Sequence, residues 1–230
     1  VEGWYKNFTQ LTSINRDKIF AEDPDFITET GEAMGLDFII KYQSREFYAY
    51  ANYGLAKVTR TDRLNTETPR TYPPVFDRRH TANVVAAWKK GRFEARSETN
   101  RPIKPKFTDS VWELGLRWSL GSGFPFTQTQ GYFEKLDFRD DGAQTDISTQ
   151  NGQLGLILAD ELNGGRLPYY HRLDLSAKRR WLIKNRFLVE ASASAINVYN
   201  RRNIFYFDRV RFATVFQFPF VPSLGVTLKY

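Results

Sequence analysis

The sequence predicts an all-β protein, an antiparallel β-barrel that crosses a membrane. Three observations carry this. About eight stretches of roughly ten residues alternate apolar with polar side chains, which is the length and period of a tilted strand spanning a bilayer. Aromatic residues make up 16% of a chain whose mean hydropathy is polar; a barrel carries such rings on its outside, in girdles at the two lipid interfaces. Long and short links alternate along most of the chain, as they do when strands turn tightly on one side of a membrane and carry loops on the other.

The elements follow in order. Val1–Leu11 reads as the inside of a strand. It has no basic segment and no apolar run, so it is not a leader, and a chain that begins partway along a longer protein is expected. Arg16–Glu32 is a long link. In Met34–Tyr42, Met34, Leu36, Phe38, Ile40 and Tyr42 share one face, with Gly35, Asp37 and Lys41 on the other. Gln43–Glu46 makes a tight hairpin into Phe47–Leu55, where Phe47, Ala49, Ala51, Tyr53 and Leu55 oppose Tyr48, Tyr50, Asn52 and Gly54. A second long link, Asp62–Arg79, precedes the strand Thr81–Trp88. Lys89–Ser110 falls where a short turn is expected, and its length has no physical account. Val111–Ser119 places Trp112, Leu114, Leu116 and Trp118 opposite Glu113, Gly115, Arg117 and Ser119. The longest link, Gly121–Arg166, leads to Arg172–Leu182, the short turn Lys184-Asn185 and Phe187–Tyr199. The final strand is Leu224–Tyr230, with Leu224, Val226, Leu228 and Tyr230 on one face.

Charge sorts by side. The net charge is +7. Arg16–Glu32 and Gly121–Arg166 are acidic, whereas the links on the other side hold Lys89, Lys90, Arg92, Arg96 and Lys104, then Lys178, Arg179, Arg180 and Lys184. There is no cysteine, hence no disulfide and no thiolate metal site. No run approaches 18 apolar residues, so a transmembrane helix is excluded, though a barrel is not.

Short blocks within this frame resemble one family. Phe76-Asp77-Arg78-Arg79-His80 with Asn83, Trp112 to Trp118 followed by Ser122-Gly123-Phe124-Pro125-Phe126-Thr127, Arg166 to Leu175, Asn197 to Asn203, and Pro222 to Tyr230 are similar, in that order, to the last strands of TonB-dependent receptors of the bacterial outer membrane. Val1–Arg60 matches only in style, and the Arg92–Ser110 link departs from the pattern. The resemblance implies a 22-stranded barrel with a plugged lumen. This chain would supply about eight C-terminal strands of it. The implied role is energised import of a nutrient: an iron chelate, cobalamin, a glycan or a peptide. The implied partners are outer-membrane lipid, an N-terminal plug domain with the remaining strands, an energy-coupling inner-membrane protein and a surface lipoprotein. Leu224, Val226, Leu228 and Tyr230 look like the barrel-assembly signal.

No catalytic signature is present: no Gly-x-Ser-x-Gly, no His-Glu-x-x-His, no phosphate loop and no cysteine nucleophile. No cofactor is expected. Candidate contacts at the lumen or rim are Arg78, Arg79, His80, His171, Arg172 and Asp174. The two histidines suit metal binding or a pH switch, but a hydrogen-bonded place at the rim is the better expectation. The arginines and Asp174 are expected to form a structural lattice on a polar interior. Asp137, Asp140, Asp141 and Asp146 lack the spacing of a calcium loop and read as solvated. Asn197 and Asn200 are expected to tie off backbone groups in a turn. Two further readings stay open. A complete eight-stranded barrel could serve a structural or adhesive role. A basic β-domain could bind nucleic acid, but the cations cluster at strand ends rather than along a groove of interleaved rings.

Overall fold

A computed structural model of the chain describes residues 1–15, 18, 21–62, 69–91, 110–135, 153–183, 187–208, 211 and 213–229. Its elements are β1 (Glu2–Ile14), β2 (Phe26–Gln43), β3 (Phe47–Asp62), β4 (Arg70–Tyr72), β5 (His80–Lys90), β6 (Ser110–Gly121), β7 (Pro125–Phe126), β8 (Thr129–Lys135), β9 (Gln153–Leu158), β10 (Gly165–Arg166), β11 (Tyr170–Ile183), β12 (Phe187–Ile196), β13 (Ile204–Asp208), β14 (Ala213–Phe216) and β15 (Val221–Lys229). No helix occurs among the described residues, so the fold is all-β.

One antiparallel sheet dominates, in the order β1-β2-β3-β5-β6-β11-β12-β15, with β4 folded back on β3. Chain neighbours are sheet neighbours throughout, which is the meander that alternating turns and loops produce. The sheet is open: β1 and β15 are its edges. Three small two-stranded sheets, β7 with β10, β8 with β9 and β13 with β14, decorate the links.

The expected strands are all present, and the differences are at their ends. Arg16–Glu32 is not wholly a link, because β2 begins at Phe26. Its polar start is held by ladders on both sides, Thr28 against Thr12 and Glu29 against Asp62, and pairing on two edges outweighs the weak strand preference of a polar segment. β3 likewise runs on to Asp62. Phe187–Tyr199 stops at Ile196, since Asn197 has a positive φ of 54° that leaves the strand region. The last strand starts earlier than expected, at Val221, and takes in Pro222; an edge strand is where proline is tolerated. The β13–β14 hairpin and the strands inside Gly121–Arg166 were not anticipated. The expected hairpin after β2 forms with Gln43 against Tyr48, closed by the Ser44 amide donating to the Phe47 carbonyl at 2.7 Å. Lys184-Asn185, most of Arg92–Ser110, the Asp137 to Asp146 cluster and Tyr230 lie outside the described residues.

Register turns local alternation into two continuous faces. Cross-strand partners share a face, so Leu36 pairs Leu55, Ala51 pairs Val84, Val84 pairs Trp118, Trp118 pairs Leu173, Ala177 pairs Ala193 and Ala193 pairs Leu224. This face is apolar from β2 to β15 and is open to its surroundings: Leu224 is 85% exposed, Val226 77% and Ile40 71%. The other face carries Asp37, Asn52, Asn83, Glu113, Arg117, Arg172, Asp174, Arg180, Glu190 and Thr227. Several of its charges are paired: Arg180 reaches Glu190 at 2.7 Å and Glu113 at 3.2 Å, and Lys89 reaches Glu113 at 3.4 Å. A single layer has no second layer to bury against. Among the described residues the buried apolar side chains are accordingly few, Ala33, Tyr72 and Val111.

Candidate functional site at one rim of the sheet

The end of the sheet where the long links meet is tied together by buried polar side chains. Its centre is Asp77, which is fully buried just before β5. One carboxylate oxygen accepts the Val58 amide at 2.9 Å. The other takes the Arg166 guanidinium of β10, with Arg79 at 3.8 Å. Arg166 also donates to the carbonyls of Asp77 and Gly123, each at 3.3 Å. A buried carboxylate is stable only when paired and hydrogen-bonded, and here one ion pair joins two of the long links. Gly123 is required by close approach: a Cβ there would overlap the Leu167 carbonyl oxygen.

Asn163 forms the second tie. It is buried at a positive φ of 56°, a conformation asparagine tolerates better than most residues. Its side chain donates to the Pro73 carbonyl at 2.9 Å and accepts from the Thr127 hydroxyl at 3.1 Å. Further along the rim, fully buried Asn197 donates to the carbonyls of Arg201 and Phe218 and accepts the Arg201 amide, while its own amide donates to Asp174 at 3.0 Å. Asn200 accepts the Phe220 amide at 3.0 Å. The two asparagines do what the sequence suggested, tying off backbone in a turn.

The histidines occupy equivalent corners. His80 opens β5, and its Nδ1 shares a 2.7 Å hydrogen bond with the Tyr53 hydroxyl. His171, near the start of β11, shares one of 2.8 Å with the Tyr199 hydroxyl. Both backbones are gripped twice by a loop residue. Ser122 accepts the His80 amide and donates its own amide to the His80 carbonyl. The Asn203 side chain accepts the His171 amide and donates to the His171 carbonyl. Register puts His80 beside Leu55 and His171 beside Leu120, so both stand on the apolar face. Burial raises the Tyr199 phenol above its ordinary pKa, so it remains protonated at neutral pH.

The six candidates are thus divided by the structure. Arg172 and Asp174 lie on the polar face and pair with each other at 2.9 Å. Arg79 belongs to the Asp77 cluster. Arg78 lies over Gly121 between two rings, 4.2 Å from the Phe124 centroid and 5.7 Å from that of Tyr170. Burial lowers its pKa, partly offset by the neighbouring Tyr170. His80 and His171 are at the rim but not on the polar face. Among the described residues no three His, Asp or Glu side chains gather into a metal-holding group. Asp77, Arg166, Asn163 and Asn203 were not singled out from sequence. Three of them sit inside the quoted blocks, but pairing Asp77 with Arg166 requires knowing that β5, β6 and β11 are adjacent.

Beside the His171 corner lies a cleft of about 370 Å³, lined by Tyr169, Tyr170, Arg201, Arg202, Ile204 and Phe216 among others. Arg201 donates to the Tyr169 carbonyl at 2.9 Å, yet its Nε is buried without a partner. Two guanidinium groups with flanking rings can hold an anionic group and a flat apolar one together. No protein-family model matches this chain, and neither a curated protein nor a solved structure does.

Proposed function

We propose that the chain is a section of the wall of an outer-membrane β-barrel that imports a nutrient in the manner of TonB-dependent receptors. The observation that carries the membrane part is the apolar face that extends across the strands from β2 to β15. Water-soluble proteins rarely expose contiguous apolar patches beyond a few hundred Å². Here large apolar side chains stay open on one side while every strand alternates them with polar groups on the other, which is the division between lipid and lumen. The aromatic ends agree: Tyr53, His80, His171 and Tyr199 ring one rim, and Phe47, Trp88, Trp112 and Trp181 the other. The β1 and β15 edges also favour a larger barrel, because unpaired backbone is not tolerated in hydrocarbon.

The transport part is supported by the five sequence blocks. Three of them, Phe76 to His80, Ser122 to Thr127 and Arg166 to Leu175, meet at the Asp77 cluster. In this reading the clustered rim faces the outside and the basic, short-turn end faces the periplasm. Arg201 and Arg202 with Tyr169 and Tyr170 form a capture subsite for an anionic ligand with a flat apolar part. The plug domain, the energy-coupling protein and a surface lipoprotein are its partners, and the chain catalyses nothing.

Uptake tests this directly. Cells lacking the gene are expected to lose import of one anionic nutrient class, and a protonophore is expected to abolish that import in the wild type. Unchanged uptake across iron chelates, cobalamin, glycans and peptides would remove the transport reading. The native mass separates the second reading: several times 26.8 kDa is expected, whereas a native protein of that mass would point to a small structural or adhesive barrel.

A further inference from the structure

We infer that the apolar face carries a binding site for a phospholipid, with its phosphate at Arg179 and Lys90 and an acyl chain in a trough of alanines. The inference rests on the membrane-wall reading and adds a specific ligand to it. Arg179 is a cation in an unusual place. Its register partners are Trp112 on β6 and Ala191 on β12, so it stands on the apolar face, at the end opposite the Asp77 cluster. It is held between two indoles, 4.7 Å from the Trp112 ring centroid and 4.9 Å from that of Trp181. It makes no hydrogen bond or ion pair among the described residues, and its Nε is buried without a partner.

The nearby carboxylates do not serve it. Glu113 and Glu190 pair in register with Lys178 and Arg180, which point to the polar face, and both are bound by Arg180. Among the described residues, Arg179 has on its own face only neutral neighbours and Lys90, which pairs with Trp112 and adds a second positive charge. A guanidinium beside hydrocarbon without a counter-ion is costly, and its planar fork matches phosphate oxygens. Trp flanks place the site at the depth of lipid headgroups.

The trough begins one register row away. Ala177 and Ala193 are cross-strand partners two residues beyond Arg179 and Ala191, and with Ala86 and Ala195 they leave a groove of about 600 Å³ walled by Leu114 and Leu224. The lining is almost wholly apolar, and an apolar groove two residues along the strand from a cation fits an acyl chain with its headgroup at Arg179. A free anion would use the arginine but not the groove.

The test uses the native membrane protein that contains this chain, extracted in mild detergent, with retained lipid read by native mass spectrometry during titration with phosphatidylglycerol. One tightly held phosphatidylglycerol is expected. Arg179→Gln should weaken it about tenfold, the scale of losing a charge-assisted contact. Ala193→Trp, which fills the trough and leaves the cations, should weaken it comparably, and inorganic phosphate should not displace it. Equal retention by the wild type and both variants overturns the site. Displacement by millimolar phosphate, with Ala193→Trp silent, also overturns it in favour of a free-anion site. Heat-resistant gel mobility verifies folding. If Arg179→Gln does not fold, Arg179→Lys replaces it, with intermediate retention expected and wild-type retention counting against the site. Recovery of the protein in the aqueous fraction would overturn the wall reading itself; membrane recovery with unaltered lipid retention would overturn only the lipid site.

Discussion

The strand wall and the clustered rim stabilise themselves by opposite means. Along the wall, large apolar side chains such as Ile40, Leu224 and Val226 stand open, and the ladder of backbone hydrogen bonds does the joining. At the rim the buried side chains are polar: Asp77, Ser122, Thr127, Asn163, Asn197 and Asn203. A water-soluble domain distributes these residues the other way. The difference teaches that the two regions hold together by different means. On the proposed reading the wall needs no interior, because its apolar face would meet lipid. The rim has irregular backbone, whose amides and carbonyls must find partners one by one, and short polar side chains supply them.

Breaking the rim is expected to have the largest effect. Asp77→Ala leaves Arg166 and the Val58 amide without their partner, and removing one member of a buried pair costs about 3–5 kcal/mol. Urea titration of the folded protein should show that loss, and a change below about 1 kcal/mol would mean that the cluster is not a structural centre.

The wall offers the sharper contrast, since Ala193 and Ser194 are adjacent, exposed and on opposite faces. If the apolar face meets lipid, Ala193→Lys is expected to cost about 2–4 kcal/mol, the penalty of a cation on a lipid-facing strand. Ser194→Lys is expected to change stability by less than about 0.5 kcal/mol, as an ordinary surface substitution does. Equal effects in parallel denaturation curves would erase the distinction between the faces.

Next comes Asn197→Ala, which removes three side-chain hydrogen bonds to backbone and puts alanine at a positive φ. A loss of about 2–3 kcal/mol is expected, together with faster amide exchange at Arg201. Exchange as slow as in the wild type would show that the turn holds without its asparagine.

Smaller losses should come from Tyr53→Phe and Tyr199→Phe, each of which deletes one hydroxyl at a histidine corner. About 0.5–1.5 kcal/mol per site is expected. The two corners are alike in geometry, so losses differing by more than about 1 kcal/mol would show that the resemblance between them is superficial.

Much of the wall was legible because its information is local. Met34 to Tyr42 and Trp112 to Trp118 state the face of each residue by alternation alone, and Ser44 marks the hairpin between β2 and β3. Pairing then carried Leu36, Tyr53, Trp118 and Leu224 onto one surface without further assumption. Strand ends were less legible: Phe26 to Glu32 is too polar to read as strand, and only ladders on both sides hold it there. Arg172 and Asp174 stand paired on the polar face, and both histidines are hydrogen-bonded at the rim, a detail of face that the sequence did not give.

Sequence by itself determined the all-β character, the period of each main strand and the side on which each side chain stands, because a pleated backbone turns successive residues to opposite faces whatever its neighbours. Tertiary structure alone decided the Asp77–Arg166 pair, the double grip on His80 and His171, and the separation of Arg179 from the carboxylates of the described residues. Asp77 and Arg166 are 89 residues apart. Their meeting follows from which strands lie side by side, and a residue's long-range partners are chosen by that adjacency rather than by anything in its own stretch of chain.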